Sequence, residues 1–250
     1  MKRELVASPQ GIGGQPPAAQ FREIADAAVA LYGPCGRFAV GFARGKLTGD
    51  PVFRHLLAHG LLSHAQRVLD LGCGQGLLAA LLLAARRRFE SGHWPDGWPA
   101  PPHAQVRGIE LMPSDVRRAQ RALGQLARFE RCDIRTAEFG ATDAVVILDV
   151  LHYLPYDDQV QLLARVRDSL AGGGRLLLRV GDAAGGWPFR FSLWVDHAVM
   201  LARGHRPSRL YCRELTQWIR LLESLGFAVQ ARPMSEGTLF ANVLLVGEAG

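Results

Sequence analysis

From residue 67 onwards, short apolar segments alternate with longer amphipathic segments whose apolar residues recur at helical spacing. The segments expected to be strands are 67–71, 105–110, 129–133, 144–149, 175–180, 227–231 and 239–246. The helices expected between and after them are 77–89, 113–127, 156–170 and 211–225. Such alternation is typical of a mostly parallel sheet with helices on both faces. The sequence therefore predicts a three-layer α/β fold with a seven-stranded, mostly parallel sheet whose last strand is antiparallel.

The remaining segments differ in composition from this alternating region. Residues 1–17 are rich in Gly, Pro and Gln and are expected to form a flexible leader. Residues 18–62 are expected to form a helical lid or cap with breaks, in which Asp50 caps a short helix that begins at Pro51. Residues 63–250 are expected to form the main domain, with an insertion at about 182–209 after the fifth strand.

The net charge of +6 and the isoelectric point near 9.6 raise the possibility of a nucleic-acid partner. However, only Lys2 and Lys46 among the 29 basic residues are lysines, a skew typical of a GC-rich genome. The arginines are also spread along the chain rather than gathered in one patch. We therefore do not expect nucleic acid to be the partner.

The four cysteines, Cys35, Cys73, Cys132 and Cys212, lie far apart in the sequence and form no CxxC pair. This spacing indicates neither a structural zinc site nor a disulfide framework, and scattered thiols are typical of the cytoplasm. The longest apolar run, 77–85, is too short to span a membrane, and the first residues lack the apolar core of a signal peptide. A cytoplasmic location is therefore expected.

A glycine-rich loop follows the first predicted strand. The sequence Asp70-Leu71-Gly72-Cys73-Gly74-Gln75-Gly76 leads directly into a predicted helix. Glycines at such a junction allow a tight turn and let a ligand approach the backbone without a Cβ in the way. An acid two residues before the first glycine suits a ligand with an ammonium group better than a pyrophosphate, which the dinucleotide pattern GxGxxG would indicate.

On these residues the chain resembles the class I S-adenosylmethionine-dependent methyltransferases, whose first motif reads DxGxGxG. The resemblance extends over about residues 67–247, since acids also close the second, third and fourth predicted strands and the turn 170–179 (LAGGGRLLLR) matches the family's fifth strand. It implies a Rossmann-like methyltransferase fold that binds S-adenosyl-L-methionine and releases S-adenosyl-L-homocysteine. Ala171 stands where the family usually has proline, and Glu110 follows Asp70 by 40 residues instead of about 20.

The resemblance also implies roles for particular residues. Glu110 would bind the cofactor's ribose hydroxyls, Asp133 would lie near the adenine amino group, and Asp149 would border the methyl donor. The full set of expected cofactor-binding residues is Asp70, Gly72, Cys73, Gly74, Gly76, Glu110, Leu111, Asp133, Ile134, Asp149 and Lys46. Lys46 would reach either the cofactor carboxylate or an acidic acceptor, with a solvated surface position as the alternative.

His152 is the candidate general base, because it follows the fourth strand and an imidazole titrates near neutral pH. The alternatives are that it only packs or caps the next helix, or that His197 or His205 takes the role. Asp157 and Asp158 suggest a metal-assisted site, but helix capping is favoured and no metal is expected.

Segment 187–201 contains Trp187, Phe189, Phe191, Trp194 and Met200. Together with residues 18–62 it is expected to cover the donor methyl and to select a small aromatic or apolar acceptor for O- or C-methylation. An ordinary amphipathic helix packed on the core is the alternative reading of the segment.

Two other functions remain open at this stage. One is a nucleic-acid or other macromolecule-directed methyltransferase. Amino-methylating enzymes of the family usually show an (Asp/Asn)-Pro-Pro-aromatic run after strand four, where this chain reads DVLHYL. A non-catalytic binding protein would be expected to have lost the glycine loop or Glu110, and both are present.

Overall fold

The computed structural model describes residues 17–181, 210–234 and 242–250. Its strands are β1 (Arg67–Leu71), β2 (Gln105–Glu110), β3 (Arg128–Arg131), β4 (Thr142–Leu148), β5 (Leu170–Gly181), β6 (Phe227–Pro233) and β7 (Asn242–Ala249). They form one sheet in the order β3-β2-β1-β4-β5-β7-β6. Strand β7 runs antiparallel to both β5 and β6, and the other pairs are parallel. The predicted fold class is confirmed.

The described helices cover both faces of this sheet. They are α1 (Pro17–Ala30), α2 (Arg37–Gly49), α3 (Pro51–Ala58), α4 (Leu77–Glu90), α5 (Pro113–Leu123), α6 (Tyr156–Ser169) and α7 (Leu215–Ser224). Alternate strand residues face opposite helical layers: Val68 packs with the cluster that contains α1 to α5, and Leu69 packs with α6 and α7. No described helix has the length and apolar character needed to cross a membrane.

Helix α2 forms where the sequence showed a stretch punctuated by glycines. Gly41 and Gly45 each disfavour a helix by roughly 1 kcal/mol relative to alanine. Ala39, Ala43 and Leu47, spaced four residues apart, are nevertheless buried against the core. Burial of this stripe outweighs the low intrinsic preference of glycine for helices.

Strand β5 begins at Leu170, five residues earlier than expected. The glycines 172–174, which follow the expected end of the helix 156–170, belong to β5, and Leu170 pairs with Thr142 across an irregularity in the β4–β5 register. Near its other end, β5 places Arg179 opposite Leu148, the last residue of β4.

The strand order reverses at β1, which pairs with β2 on one side and β4 on the other. In open parallel sheets, ligands bind in the crevice at the carboxyl ends of the strands at such a reversal. The glycine loop and the ends of β2 and β4 therefore meet where a ligand is expected.

Candidate cofactor and catalytic site

Three glycines of the loop adopt left-handed backbone conformations, with φ of +73° at Gly72, +54° at Gly74 and +78° at Gly76. A Cβ at Gly72 would lie 2.3 Å from Val150 Cγ2, and a Cβ at Gly76 would lie 2.7 Å from the Phe129 ring. A Cβ at Gly74 would meet no described protein atom within 4 Å. Two of the glycines are thus required by packing inside the protein, whereas Gly74 faces open space.

The carboxylate of Glu110, at the end of β2, stabilises this loop through a hydrogen bond. Its Oε2 accepts a hydrogen bond from Gly74 N at 2.9 Å, and its Oε1 accepts one from Met112 N at 2.8 Å. Asp70, at the end of β1, is only 5% exposed. Burial and then the nearby charge of Glu110 raise the pKa of Asp70 to about 7. Glu110 therefore lies against the backbone of Gly74, and Asp70 lies close enough to Glu110 for their charges to interact.

Cys73 lies buried inside the loop rather than on its open face. A Cβ at Gly108 would approach its Sγ to 2.6 Å, so the glycine in β2 makes room for this thiol. Burial, followed by the charges of Asp70 and Glu110, raises the pKa of Cys73 well above its ordinary value. The thiol is therefore neutral, and its contribution to the site is to pack under the loop.

The end of β3 places Asp133 and Ile134 beyond Glu110, and Cys132 N donates to Glu110 O at 3.1 Å. The Asp133 carboxylate is already engaged, because Arg135 Nη2 donates to its Oδ2 at 2.6 Å and Arg135 N donates to its Oδ1 at 2.9 Å. These hydrogen bonds lower the pKa of Asp133 although burial opposes the shift. Ile134 is buried and Leu111 is exposed. Contact of Asp133 with the adenine, and of Ile134 and Leu111 with the cofactor, stays a prediction.

At the end of β4, Asp149 belongs to a network of two acids and two cations. Arg179 Nε donates to Asp149 Oδ1 at 2.8 Å, and its two terminal nitrogens contact Asp149 Oδ2 and Asp50 Oδ1. Lys46 Nζ lies 3.2 Å from Asp50 Oδ2 and 3.4 Å from Asp149 Oδ2. Asp50 also caps α3 as predicted, since its side chain accepts a hydrogen bond from Val52 N. Lys46 is thus paired with acids of the protein, close to the predicted donor end.

Sequence reasoning missed Arg179. The available signal was an arginine inside the apolar strand sequence LLLRVG, because a charged side chain in a buried strand requires partners of opposite charge. The identity of those partners was not visible, since Asp149 and Asp50 lie 30 and 129 residues away.

His152 follows Asp149 in a short 3-10 turn, Leu151–Tyr153. Its ring centroid lies 4.1 Å from that of Tyr153, and its backbone oxygen accepts a hydrogen bond from Tyr211 N at 2.8 Å. Burial lowers the pKa of His152 below the ordinary 6.5, although the charge of Asp149 opposes the shift. The imidazole is therefore neutral at pH 7, the form that a general base requires.

Helix α6 carries Asp157 and Asp158 in its first turn. Asp158 pairs with Arg135 at 3.2 Å. Within the described ranges there is no group of three side chains suited to hold a metal ion.

The helices before β1 adjoin the glycine loop. The buried Tyr32 hydroxyl donates to Gln75 O at 2.8 Å, and Gln75 Nε2 donates to Ala39 O in α2 at 3.3 Å. With Lys46 and Asp50 near the end of β4, α2 and the start of α3 therefore lie close to the carboxyl edge of the sheet. Their action as a lid stays a prediction. His197, His205 and the aromatic segment 187–201 lie outside the described residues.

Comparison with known proteins agrees with this arrangement. Residues 69–176 match a family model described as a methyltransferase domain. A trans-aconitate 2-methyltransferase from Methylobacterium nodulans is 33% identical over 128 residues, which are 51% of this chain and 43% of that protein. A carboxy-S-adenosyl-L-methionine synthase from Shewanella amazonensis is 32% identical over 127 residues, 49% of this chain and 47% of that protein. The chain thus spans less than half the length of these curated relatives.

Two solved structures illustrate the shared fold. An O-methyltransferase family protein from Burkholderia thailandensis superposes with a TM-score of 0.59 at 20% identity, covering 86% of this chain and 61% of that one. Magnesium protoporphyrin IX methyltransferase from Synechocystis PCC 6803, with bound S-adenosylhomocysteine, gives 0.56 at 21% identity, covering 90% and 94%. Residues 69–176 thus match a methyltransferase domain, and the described chain shares its fold with solved methyltransferases, which supports the resemblance to the class I S-adenosylmethionine-dependent methyltransferases.

Proposed function

We propose that this protein transfers the methyl group of S-adenosylmethionine to a small-molecule acceptor. The observation that carries the proposal is the open space over Gly74, next to Glu110 and at the reversal of strand order. The family match over residues 69–176 supports this choice of cofactor.

The residues around Gly74 fit the cofactor chemically. Each carboxylate oxygen of Glu110 accepts one backbone hydrogen bond and has further lone-pair capacity for a ribose hydroxyl. The buried Asp70 provides a negative charge for a ligand that carries an ammonium group. A cation at this position would favour ionised Asp70 against the burial that raises its pKa.

When bound, the cofactor supplies a methyl group made electrophilic by its sulfonium. The protein's main task is to align the acceptor with that methyl and to exclude water. If the acceptor nucleophile carries a proton, neutral His152 is the proposed base that accepts it. Asp149, ion-paired beside His152, would stabilise the imidazolium that results.

For the acceptor we propose a small aromatic or apolar metabolite that is methylated on oxygen or carbon, on the basis of the aromatic segment 187–201. A carboxylate-bearing acceptor is the second candidate, because the Lys46 side chain is 41% exposed and its ammonium group lies beside Asp149. The name of the relative from Methylobacterium nodulans, a trans-aconitate methyltransferase, supports this second candidate. The scattered free thiols support a cytoplasmic setting.

The test is to incubate the full chain with S-adenosylmethionine and to measure S-adenosylhomocysteine release with three acceptor groups: phenolic aromatics, trans-aconitate and total RNA. Release with phenolics supports the first candidate and release with trans-aconitate the second. Selective methylation of RNA would overturn the small-molecule assignment. Tight cofactor binding without release for any acceptor would favour a non-catalytic binding protein.

A further inference from the structure

We infer that Arg179 is a positioning residue that holds Asp149 ionised and correctly placed at the donor end of the site, and that through Asp50 it couples α3 to the same point. The inference rests on the proposed function in one respect, which is that Asp149 borders the bound cofactor. Neither Arg179 nor Asp50 is part of the glycine loop or of the strand-end acids described for the cofactor.

The geometry of Arg179 is that of a clamp. Its guanidinium contacts both carboxylate oxygens of Asp149, through Nε and one terminal nitrogen, and uses the other terminal nitrogen for Asp50. Such two-point pairing fixes the orientation of a carboxylate as well as its charge. The Arg179 side chain is only 2% exposed, so it is held by these partners and not by solvent.

Asp149 requires such a clamp. Its φ is +60°, a left-handed conformation that costs a residue with a Cβ roughly 1 kcal/mol or more. Burial disfavours its charged form, but Arg179 and Lys46 hold the pKa of Asp149 well below its ordinary value. The strain and the burial are both offset by the same cations.

The exposed fractions of the side chains show which of these residues a ligand can contact. The side chain of Asp149 is 30% exposed, whereas Arg179 is buried behind it. A ligand at the donor end can therefore contact Asp149 but not Arg179. Asp50, also nearly buried, anchors the first turn of α3 to the same guanidinium. Loss of Arg179 should accordingly affect both Asp149 and the start of α3.

The test uses a charge-balanced variant, because removal of Arg179 alone would leave buried acids without a cation and would endanger folding. Asp50→Asn/Arg179→Gln removes one charge of each sign, keeps a capping side chain for α3 and leaves the Lys46–Asp149 pair. The affinity for S-adenosylhomocysteine is measured by calorimetry between pH 5 and 8. In the wild type, Asp149 should stay ionised across this range and cause little change in affinity. The double variant should bind at least 10-fold more weakly and lose further affinity as the pH falls.

The control is Arg175→Gln, on the same strand four residues earlier, where Arg175 pairs with Glu248 at 2.7 Å. The control should bind like the wild type, and Arg179→Lys should recover part of the lost affinity. A folded double variant with wild-type affinity and an unchanged pH profile would overturn the inference.

A second readout needs no ligand. The carboxyl-carbon NMR signal of Asp149 should titrate at a higher pH in the double variant than in the wild type. An unchanged titration would also overturn the inference. A wild type that fails to bind S-adenosylhomocysteine, while the Asp149 titration shifts as expected, would refute the proposed function and still support the clamp.

Discussion

Replacement of Glu110 by alanine should weaken cofactor binding more than any other single change at a strand end. The substitution removes the carboxylate from Gly74 N and Met112 N and deletes the two acceptors proposed for the ribose hydroxyls. Hydrogen bonds to a charged group contribute roughly 1.5–3 kcal/mol each, and part of this is recovered by water. We expect a loss on the order of 2–4 kcal/mol, which corresponds to about a 30- to 1000-fold weaker affinity.

The assay is calorimetric titration of the full chain with S-adenosylhomocysteine, accompanied by urea unfolding without ligand. Unfolding should become easier by only about 1–2 kcal/mol, because the two freed backbone N–H groups lie in partly exposed segments. The matched control is Glu130→Ala on the neighbouring strand β3, where Glu130 pairs with Arg107 at 2.7 Å. The control should change the affinity less than twofold. An affinity loss below threefold for Glu110→Ala, or an equal loss for the control, would show that Glu110 does not bind the cofactor as proposed.

Other expectations follow from the same site. Gly72→Ala should reduce stability, because its Cβ would approach a packed valine methyl to 2.3 Å. Gly74→Ala should fold with modest backbone strain but bind S-adenosylhomocysteine at least 10-fold more weakly. Denaturation measures the stability of the two variants, and calorimetry measures their affinity. If the acceptor is protonated, His152→Ala should lower turnover at least 100-fold with little change in cofactor affinity. The wild-type rate should fall with decreasing pH only once the pH is below the lowered pKa of His152, which is less than 6.5. Unchanged turnover in the variant would exclude the base role. Because the folded-state pKa of Asp70, about 7, lies above its unfolded value of 3.8, its contribution should reduce stability as the pH rises between these values. Glu110→Gln should make the decline in the free energy of unfolding between pH 4 and 7 smaller, as measured by urea unfolding. An unchanged dependence on pH would contradict the charge repulsion between Glu110 and Asp70.

The parts of the fold that local sequence determines were predictable. Strand β1 was predicted within its observed bounds, Arg67–Leu71, because an apolar run ends at a glycine turn that only a few backbone conformations permit. Helix α4 begins at Leu77, directly after the third glycine, as expected. The Asp50 cap was also visible, because capping depends on neighbours within the same turn.

The features that escaped prediction depend on tertiary contacts. Helix α2 is stabilised by a buried stripe against α1 and α4, which a glycine-rich sequence does not reveal. Arg179 pairs with Asp149 at the end of β4 and with Asp50 at the start of α3, two elements distant from it in the sequence. Residue types at strand ends could therefore be foreseen, but the ion pairing of Lys46 and Asp149 could not.

A crystal structure of the full chain grown with S-adenosylhomocysteine would show whether the carboxyl edge at β1, β2 and β4 binds S-adenosylmethionine, as proposed. We expect the ribose hydroxyls within hydrogen-bonding distance of Glu110, the ligand over Gly74, and its sulfur facing the segment from Asp149 to His152. A ligand bound at another edge of the sheet, with the space over Gly74 left empty, would show that the proposed cofactor site is wrong.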